Sequence, residues 1–180
     1  VAMSDNVGCD VLLRLIGGPK VVHNFLISKG AKDTQIVYNE EVMQSEWKNQ
    51  YENYTTMKSA TKLLKDFYQG KILSKKSTEF LLGVLYRTST GLNKIVEQLP
   101  KSAKVAHKTG SSGKNNEGLT GAENDIAIIT LPNGKTYAIA IFVSDSMESY
   151  EVNCKMISDI SKVVFENLSQ PKSGFFFNWK

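Results

Sequence analysis

The sequence predicts an α+β fold in which a helical part precedes an antiparallel sheet flanked by a C-terminal helix. Residues 1–100 hold apolar runs at helical spacing, most of them bounded by capping or helix-ending residues. Residues 101–170 hold three apolar, β-rich runs followed by one long amphipathic run. Helices and strands that occupy separate parts of a chain are typical of this class. We interpret residues 171–180, an aromatic tail, either as a docked segment or as a remnant of how the chain was made.

Composition limits the classes of function. The 180 residues are 41% hydrophobic and 22% charged, with a formal net charge of +4 and no long run of like charges. We therefore expect a packed core and no nucleic-acid partner. No apolar run approaches the roughly 18 residues that span a membrane, so we expect no membrane span. We find no His/Cys/Asp cluster with ligand spacing and expect no metal or other cofactor. Cys9 and Cys154 can pair, although nothing in the sequence requires a disulfide.

The helical part is punctuated by short polar and glycine-rich stretches. Ser4-Asp5-Asn6 precedes an apolar periodic run and predicts a helix N-cap. Gly17-Gly18-Pro19 ends that helix and begins a second one. Thr55-Thr56 caps a third helix, and Ser77-Thr78-Glu79 opens a fourth. A short helix around Ile95 is expected before the chain turns into strands.

Residues 38–54 break this helical pattern. They mix apolar, polar and aromatic side chains with no clean period of 2 or 3.6, and they include several glutamates. Such a segment is typical of an Ω-loop, a compact loop that packs on its own side chains. The segment is either an acidic surface loop or a loop that turns one glutamate inward as a general base on water.

The last part of the chain predicts a three-stranded meander and a closing helix. Strands are expected at residues 103–109, 122–131 and 136–144. Asn133-Gly134 lies between the second and third runs, which is a strong hairpin signal. Residues 148–168 then show helical amphipathicity.

A basic residue, a hydroxyl and a glycine stand together at the end of the first predicted strand, in Lys108-Thr109-Gly110. Strand side chains alternate, so Lys108 and Gly110 share one face and Thr109 lies on the other. A ligand carboxylate can meet the Lys108 ammonium and a hydroxyl, while Gly110 lets a molecule approach the backbone. The Ser111 N–H can point at an oxygen that becomes anionic. The alternative is a polar strand followed by an ordinary Gly/Ser turn.

Taken in order, these motifs resemble those of the class A serine β-lactamases. The resemblance rests on Ser4-Asp5-Asn6, the glutamate-bearing loop and Lys108-Thr109-Gly110, and it extends from Met3 to about Leu168. His107 and the Ser-Ser-Gly stretch after Gly110 are similar to a divergent cephalosporinase or extended-spectrum branch. The resemblance implies hydrolysis of the β-lactam amide of penicillins or cephalosporins through an acyl-enzyme, which confers antibiotic resistance. It also implies a periplasmic or secreted location in bacteria.

The resemblance assigns roles to catalytic and substrate-binding residues. Ser4 would relay a proton to the β-lactam nitrogen, and the field of Lys108 would lower the cost of that transfer. Asn6 would hold the carbonyl of the substrate's side chain. Lys108 and Thr109 would bind the substrate carboxylate, next to Gly110.

Two further assignments concern the neighbourhood of that carboxylate. Ser111 would give an oxyanion-hole N–H and could add a hydroxyl contact to the carboxylate. Lys94 would be a second cation for it, because related enzymes place an arginine near there.

The general base of the loop is either Glu40 or Glu41. Counting forward from Asn6 by the family's spacing favours Glu40, whereas counting back from the Thr55-Thr56 cap without a gap favours Glu41. The branch that the chain resembles carries extra length late in this loop, and we therefore choose Glu40. Gln44 and Asn53 then stand where commoner members have an asparagine and a loop-closing aspartate.

The nucleophile of the family is missing from its expected position. It lies in a Ser-x-x-Lys motif some 60 residues before Ser-Asp-Asn, whereas Ser59-x-x-Lys62 and Ser111-x-x-Lys114 both follow Ser4. We expect this chain to be the C-terminal portion of a longer enzyme, inactive alone and partnered by its missing N-terminal portion. The alternative functions are a β-lactam- or peptidoglycan-binding remnant without turnover, and a generic α+β interaction domain.

Overall fold

The computed structural model describes residues 1–170, so the aromatic tail lies outside the described residues. The helices are α1 (Asn6–Leu15), α2 (Pro19–Ser28), α3 (Glu40–Ser45), α4 (Met57–Tyr68), α5 (Lys75–Leu85) and α6 (Tyr150–Ser169), with a 3-10 helix at Trp47–Glu52. The strands are β1 (Thr34–Gln35), β2 (Tyr54–Thr55), β3 (Lys104–Ser111), β4 (Thr120–Thr130) and β5 (Thr136–Ser146). The predicted α+β class is confirmed.

Two antiparallel sheets are present in this part of the chain. The larger has the order β3-β4-β5, and the smaller pairs β1 with β2. In the larger sheet Lys108 pairs with Ile126 and Gly110 with Asn124. Strands β4 and β5 meet in the predicted Asn-Gly hairpin, where Gly134 has a φ of 81°. The positive φ explains the glycine at this turn.

The two faces of the larger sheet are buried against different helices. Ala127, Ile129 and Ile141 pack with Ile157 and Phe165 of α6 on one face. On the other face, Ala106 and Ile128 pack with Phe67 of α4 and Leu85 of α5. The residues of each face alternate along the strands, as the pleat requires. Lys108 and Gly110 alternate in step with Ala106, so they lie on the face of β3 that packs on α4 and α5 further along the strand.

The structure corrects three details of the predicted elements. The short helix expected around Ile95 is a series of turns, because the Ile95 N–H donates to the carboxylate of Asp125 (3.2 Å) instead of to a carbonyl one turn back. Helix α5 begins two residues before Ser77, because Ser74 caps it and accepts a bond from the Ser77 N–H. Residues 38–54, whose pattern predicts no helix, contain α3 and the 3-10 helix.

Candidate active site

In the polar motif at the start of α1, Asp5 caps the helix and Ser4 contacts the strand β3. The Asp5 side chain caps the helix by accepting a bond from the Gly8 N–H (3.0 Å). Ser4 precedes the helix with a φ of 52°, in the left-handed region that non-glycine residues rarely adopt. Its hydroxyl accepts a hydrogen bond from Lys108 Nζ at 2.7 Å. The fold therefore joins two predicted catalytic residues that are far apart in sequence.

Lys108 lies at the wall of a cleft of about 880 Å³ between α1, residues 38–54 and the end of β3. Burial lowers the pKa of its ammonium, and the charge of Lys94 lowers it further. The carboxylates of Asp125 and Glu40 oppose this shift. An ammonium with a lowered pKa gives up a proton more readily than an exposed lysine, which suits a group that assists proton transfer at Ser4.

Glu40 opens helix α3 and lines the same cleft. Its position is fixed from α1, because Asp10 accepts bonds from the backbone N–H of Glu40 (2.7 Å) and of Glu41 (3.0 Å). Burial raises the pKa of the Glu40 carboxyl, repulsion from Asp10 raises it further, and the attraction of Lys108 opposes both. A half-buried carboxylate with a raised pKa is a stronger base than a free one.

The two alternatives for the general base differ in their surroundings. Glu40 is half-buried and lines the cleft, whereas Glu41 is exposed and is not among the residues that line it. This geometry favours Glu40. Gln44 also lines the cleft. Asn53 closes the loop, because its side-chain oxygen accepts bonds from the N–H groups of Val37 (2.8 Å) and Tyr38 (3.0 Å).

Thr109 lies on the opposite face of β3 from Lys108, as the alternation predicts. Its hydroxyl is 2.9 Å from the hydroxyl of Thr90. Gly91, the residue after Thr90, packs directly against Thr109. A Cβ added at Gly91 would lie 2.5 Å from Thr109 Cγ2. Together with a φ of 60°, this close approach requires glycine at position 91.

Three of the predicted substrate-binding residues lie at the open part of the cleft. Asn6 and Gly110 are exposed and line it. Ser111 is also exposed and lines it, but its hydroxyl donates to a carboxylate oxygen of Glu123 at 2.8 Å. The Ser111 proton is therefore engaged within the protein, so the predicted hydroxyl contact to a substrate carboxylate is not available in this arrangement.

The prediction that Lys94 binds the substrate carboxylate is wrong. Lys94 is only 2% exposed and forms an ion pair with the equally buried Glu123. Its ammonium donates to the carbonyl oxygens of Gly110 (3.0 Å) and Asn124 (3.1 Å). The resemblance to related enzymes implied a cation near β3 but could not show on which side of the strand Lys94 lies.

Sequence reasoning missed the buried and half-buried carboxylates that hold the elements of this site in place. Asp125 is fully buried and accepts bonds from the Ile95 N–H and from His107 Nδ1 (3.2 Å). Asp10 and Glu123 hold the loop and Ser111, as described above. Each acts on a partner at least 12 residues away, so no local pattern reveals it. A charged residue inside an otherwise apolar strand, as in β4, is the one signal that could have been followed.

Metal ligands, the two cysteines and membrane spans can each be examined in the described part of the chain. Within residues 1–170 there is no group of three or more His, Cys, Asp or Glu residues placed to hold a metal ion. Cys9 and Cys154 are both free thiols. No helix in the described part of the chain combines the length and apolarity needed to cross a membrane.

Comparisons with known proteins identify the family of this chain. The sequence model of the beta-lactamase enzyme family matches residues 1–168. Beta-lactamase VEB-1 of Pseudomonas aeruginosa is 48% identical over 167 residues, which are 92% of this chain and 56% of that protein. Extended-spectrum beta-lactamase PER-1 of the same organism is 41% identical over 166 residues, or 92% of this chain and 54% of that protein.

Solved structures give the same result. The crystal structure of TLA-3 extended-spectrum beta-lactamase matches with a TM-score of 0.93 and 50% identity, covering 94% of this chain and 62% of that one. This chain spans about half the length of the curated relatives that it matches. The chain belongs to the beta-lactamase enzyme family and, within it, to the class A serine β-lactamases.

Proposed function

We propose that this chain supplies one part of the active site of a β-lactamase that hydrolyses penicillins and cephalosporins and so confers antibiotic resistance. The nucleophilic serine would lie on a segment outside these 180 residues. The observation that carries the proposal is the 2.7 Å contact of Ser4 Oγ with Lys108 Nζ at the wall of a cleft that Glu40 also lines. The place of action would be the periplasm or the outside of a bacterial cell, as for the family.

The proposed first half-reaction is acylation. The serine oxygen attacks the lactam carbonyl as its proton passes to a neighbouring base, and the Ser111 N–H stabilises the negative charge that develops on the carbonyl oxygen. The proton lost by the serine balances the one that the ring nitrogen gains. When the carbon–nitrogen bond of the ring breaks, the ring nitrogen takes a proton through the Ser4 hydroxyl. The adjacent Lys108 ammonium favours this transfer, because it donates a hydrogen bond to the Ser4 oxygen. Its lowered pKa also makes it a better proton donor than an exposed lysine.

The proposed second half-reaction is deacylation. Glu40 takes a proton from water, the resulting hydroxide attacks the ester, and the serine leaves with a proton restored to its oxygen. Two features support Glu40 in this role. Its raised pKa makes it a better base than a free glutamate, and Asp10 fixes the backbone that carries it. Lys108 and Thr109 would bind the substrate carboxylate, and Asn6 would hold the side-chain carbonyl.

The two Ser-x-x-Lys matches within the chain do not fit the nucleophile's role. Ser59 is 5% exposed and accepts a bond from the Asp33 N–H (3.2 Å), while Lys62 is paired with Asp66. Ser111 is engaged by Glu123, as described above. These contacts support placing the nucleophile on another segment.

The experiment combines this chain with the part of TLA-3 that it does not match. The mixture is exposed briefly to a slowly hydrolysed β-lactam, and the intact masses of both polypeptides are followed with time. We expect the added segment to gain the mass of the drug and then lose it. With Glu40→Ala the adduct should persist, whereas the adjacent exposed Glu41→Ala should behave like the unchanged chain.

The outcomes separate the proposal from its alternatives. An adduct that persists with the unchanged chain would favour a binding remnant without turnover. The absence of any adduct, although the two polypeptides form a complex, would overturn the proposed function. Decay that is slowed by Glu41→Ala and not by Glu40→Ala would move the general base to Glu41.

A further inference from the structure

Lys94 makes its polar contacts with groups of the protein and not with the cleft. An ammonium carries three N–H donors. In this structure the ammonium donates to the carbonyl oxygens of Gly110 and Asn124 and forms an ion pair with a carboxylate oxygen of Glu123. The Lys94 side chain that makes these contacts is only 2% exposed. A buried cation in contact with these protein groups acts on the cleft through one of them.

The Gly110 carbonyl connects Lys94 to the cleft. It belongs to the same peptide unit as the Ser111 N–H, and a trans peptide directs its C=O and N–H to opposite sides. Among the described residues β3 has a neighbouring strand only on the β4 side, where Gly110 pairs with Asn124. Holding the Gly110 oxygen beside Asn124 therefore turns the Ser111 N–H toward the open side of β3.

We propose that Lys94 is a positioning residue for the oxyanion donor, acting through the Gly110–Ser111 peptide. This inference deepens the proposed function and rests on it. The ammonium fixes the plane of the peptide, and a hydrogen bond from a full charge to its carbonyl withdraws electron density from the peptide nitrogen. The Ser111 N–H thereby becomes a stronger donor for the negative charge that forms during acylation.

Glu123 completes the arrangement. One of its carboxylate oxygens balances the charge of Lys94, and the other accepts the Ser111 hydroxyl at 2.8 Å. Burying an ammonium without a partner of opposite charge is costly, so Glu123 makes the buried charge that acts on the peptide tolerable. Ser111 is therefore held at two points. Glu123 accepts its hydroxyl proton, and Lys94 binds the Gly110 carbonyl oxygen of the peptide bond that precedes Ser111.

The first test needs no β-lactam and uses the 180-residue chain. The double variant Lys94→Met/Glu123→Gln removes both charges together, so neither is left buried alone. We expect the amide proton of Ser111 to move upfield in the NMR spectrum, because its peptide is no longer polarised. Thr88→Val is the matched control: it removes a buried donor from another β3 carbonyl, that of His107 (2.6 Å), and should leave the Ser111 signal in place.

A second measurement uses the unchanged chain, so the inference can be tested even when the double variant does not fold. The Lys94 ammonium should give a slowly exchanging signal with magnetisation transfer to the Gly110 α protons. Absence of this signal would overturn the inference. An unmoved Ser111 amide in a folded double variant would overturn it as well.

The second test measures the effect on chemistry in the combined protein described above. Loss of an oxyanion donor costs about a hundredfold or more in rate, so weakening one should slow acylation by about tenfold with little change in substrate binding. The carbonyl stretch of the acyl-enzyme should also move to higher frequency. Equal losses in acylation for the double variant and Thr88→Val would indicate a merely structural role and overturn the inference. A shifted Ser111 amide without acylation of the unchanged protein would reject the proposed function, and with it the oxyanion role, while leaving only the coupling of Lys94 to the Gly110–Ser111 peptide.

Discussion

The two walls of the cleft are built in different ways. The loop wall, residues 38–54, carries Glu40 and is held by side chains that bond to backbone N–H groups, from Asp10 at one point and Asn53 at another. The strand wall, Lys104–Ser111, is held along its length by the ladder to β4. Beneath it lie the fully buried carboxylate of Asp125 and the Lys94–Glu123 pair.

Because of this difference, we expect the loop wall to open locally and the strand wall to lose its structure only when the whole domain unfolds. The residues that anchor the loop wall are half-buried and few, and the contacts they make do not belong to the core. Segments of this kind open at a free energy below that of global unfolding. The strand wall shares residues with both hydrophobic clusters, since Ala106 and Val105 pack on opposite faces of the sheet. We therefore expect changes to the strand wall to unfold the molecule and changes to the loop wall to free the loop.

The largest expected effect is at the strand wall. Asp125→Ala removes the partner of His107 Nδ1 and of the Ile95 N–H in a fully buried setting. Breaking a buried polar pair by deleting one partner costs about 3–5 kcal/mol. Urea unfolding should show this loss in one cooperative transition, with the strands and residues 38–54 losing structure together.

Asp159→Ala is the matched control for that change. Asp159 also makes two side-chain contacts, with Lys155 and Gln98, but its side chain is 48% exposed. Exposed pairs contribute about 0–1 kcal/mol, so the midpoint should hardly move. A loss for Asp125→Ala as small as that of the control would contradict the view that the strand wall is part of the core.

An intermediate effect is expected at the loop wall. Asp10→Ala leaves the N–H groups of Glu40 and Glu41 without their acceptor, and losing a cap of this type costs about 1–2 kcal/mol. Hydrogen exchange should accelerate in residues 38–54 and stay slow in β3, β4 and β5. Asp5→Ala removes a cap from α1 instead and should leave exchange in the loop unchanged. Acceleration spread over the whole chain would show that the two walls are not independent.

The smallest expected effect is a pH-dependent gain from Glu40→Gln. The folded state raises the pKa of Glu40 above its unfolded value, so between those two values the folded chain binds more protons than the unfolded chain. Stability therefore falls as pH rises through this window, and the full cost of the buried charge is present above it. Glu40→Gln should be more stable than the unchanged chain at neutral pH, by less than about 1 kcal/mol because the group is half-exposed.

This gain should disappear when the pH drops below the unfolded pKa of glutamate, about 4.3. Thermal unfolding at a series of pH values measures it. Asp10→Asn removes the charge that repels Glu40, so it should lower the pKa of Glu40 in a carboxyl ¹³C titration. A Glu40→Gln variant that is less stable at neutral pH and equal at low pH would reverse the sign and refute the raised pKa.

Local physics made most of the fold predictable. Capping residues, glycines and apolar periodicity located α1, α2, α4 and α6, and alternation with an Asn-Gly turn located β3 to β5. Those signals depend on neighbours within a few positions. The turns around Ile95 were missed because the acceptor of its N–H, Asp125, lies 30 residues away. The helices within residues 38–54 were missed because they are short and held from Asp10 and Asn53.

By itself, the sequence determined that Lys108 and Gly110 share one face of a strand and that Thr109 does not, because the pleat permits no other arrangement. It also determined that a capping motif precedes α1. Only the tertiary structure decided that Ser4 meets Lys108 and that Lys94 lies beneath β3, paired with Glu123. The reason is that a side chain's charge and spacing are properties of the chain, whereas the side of a strand it occupies depends on the packing of distant elements.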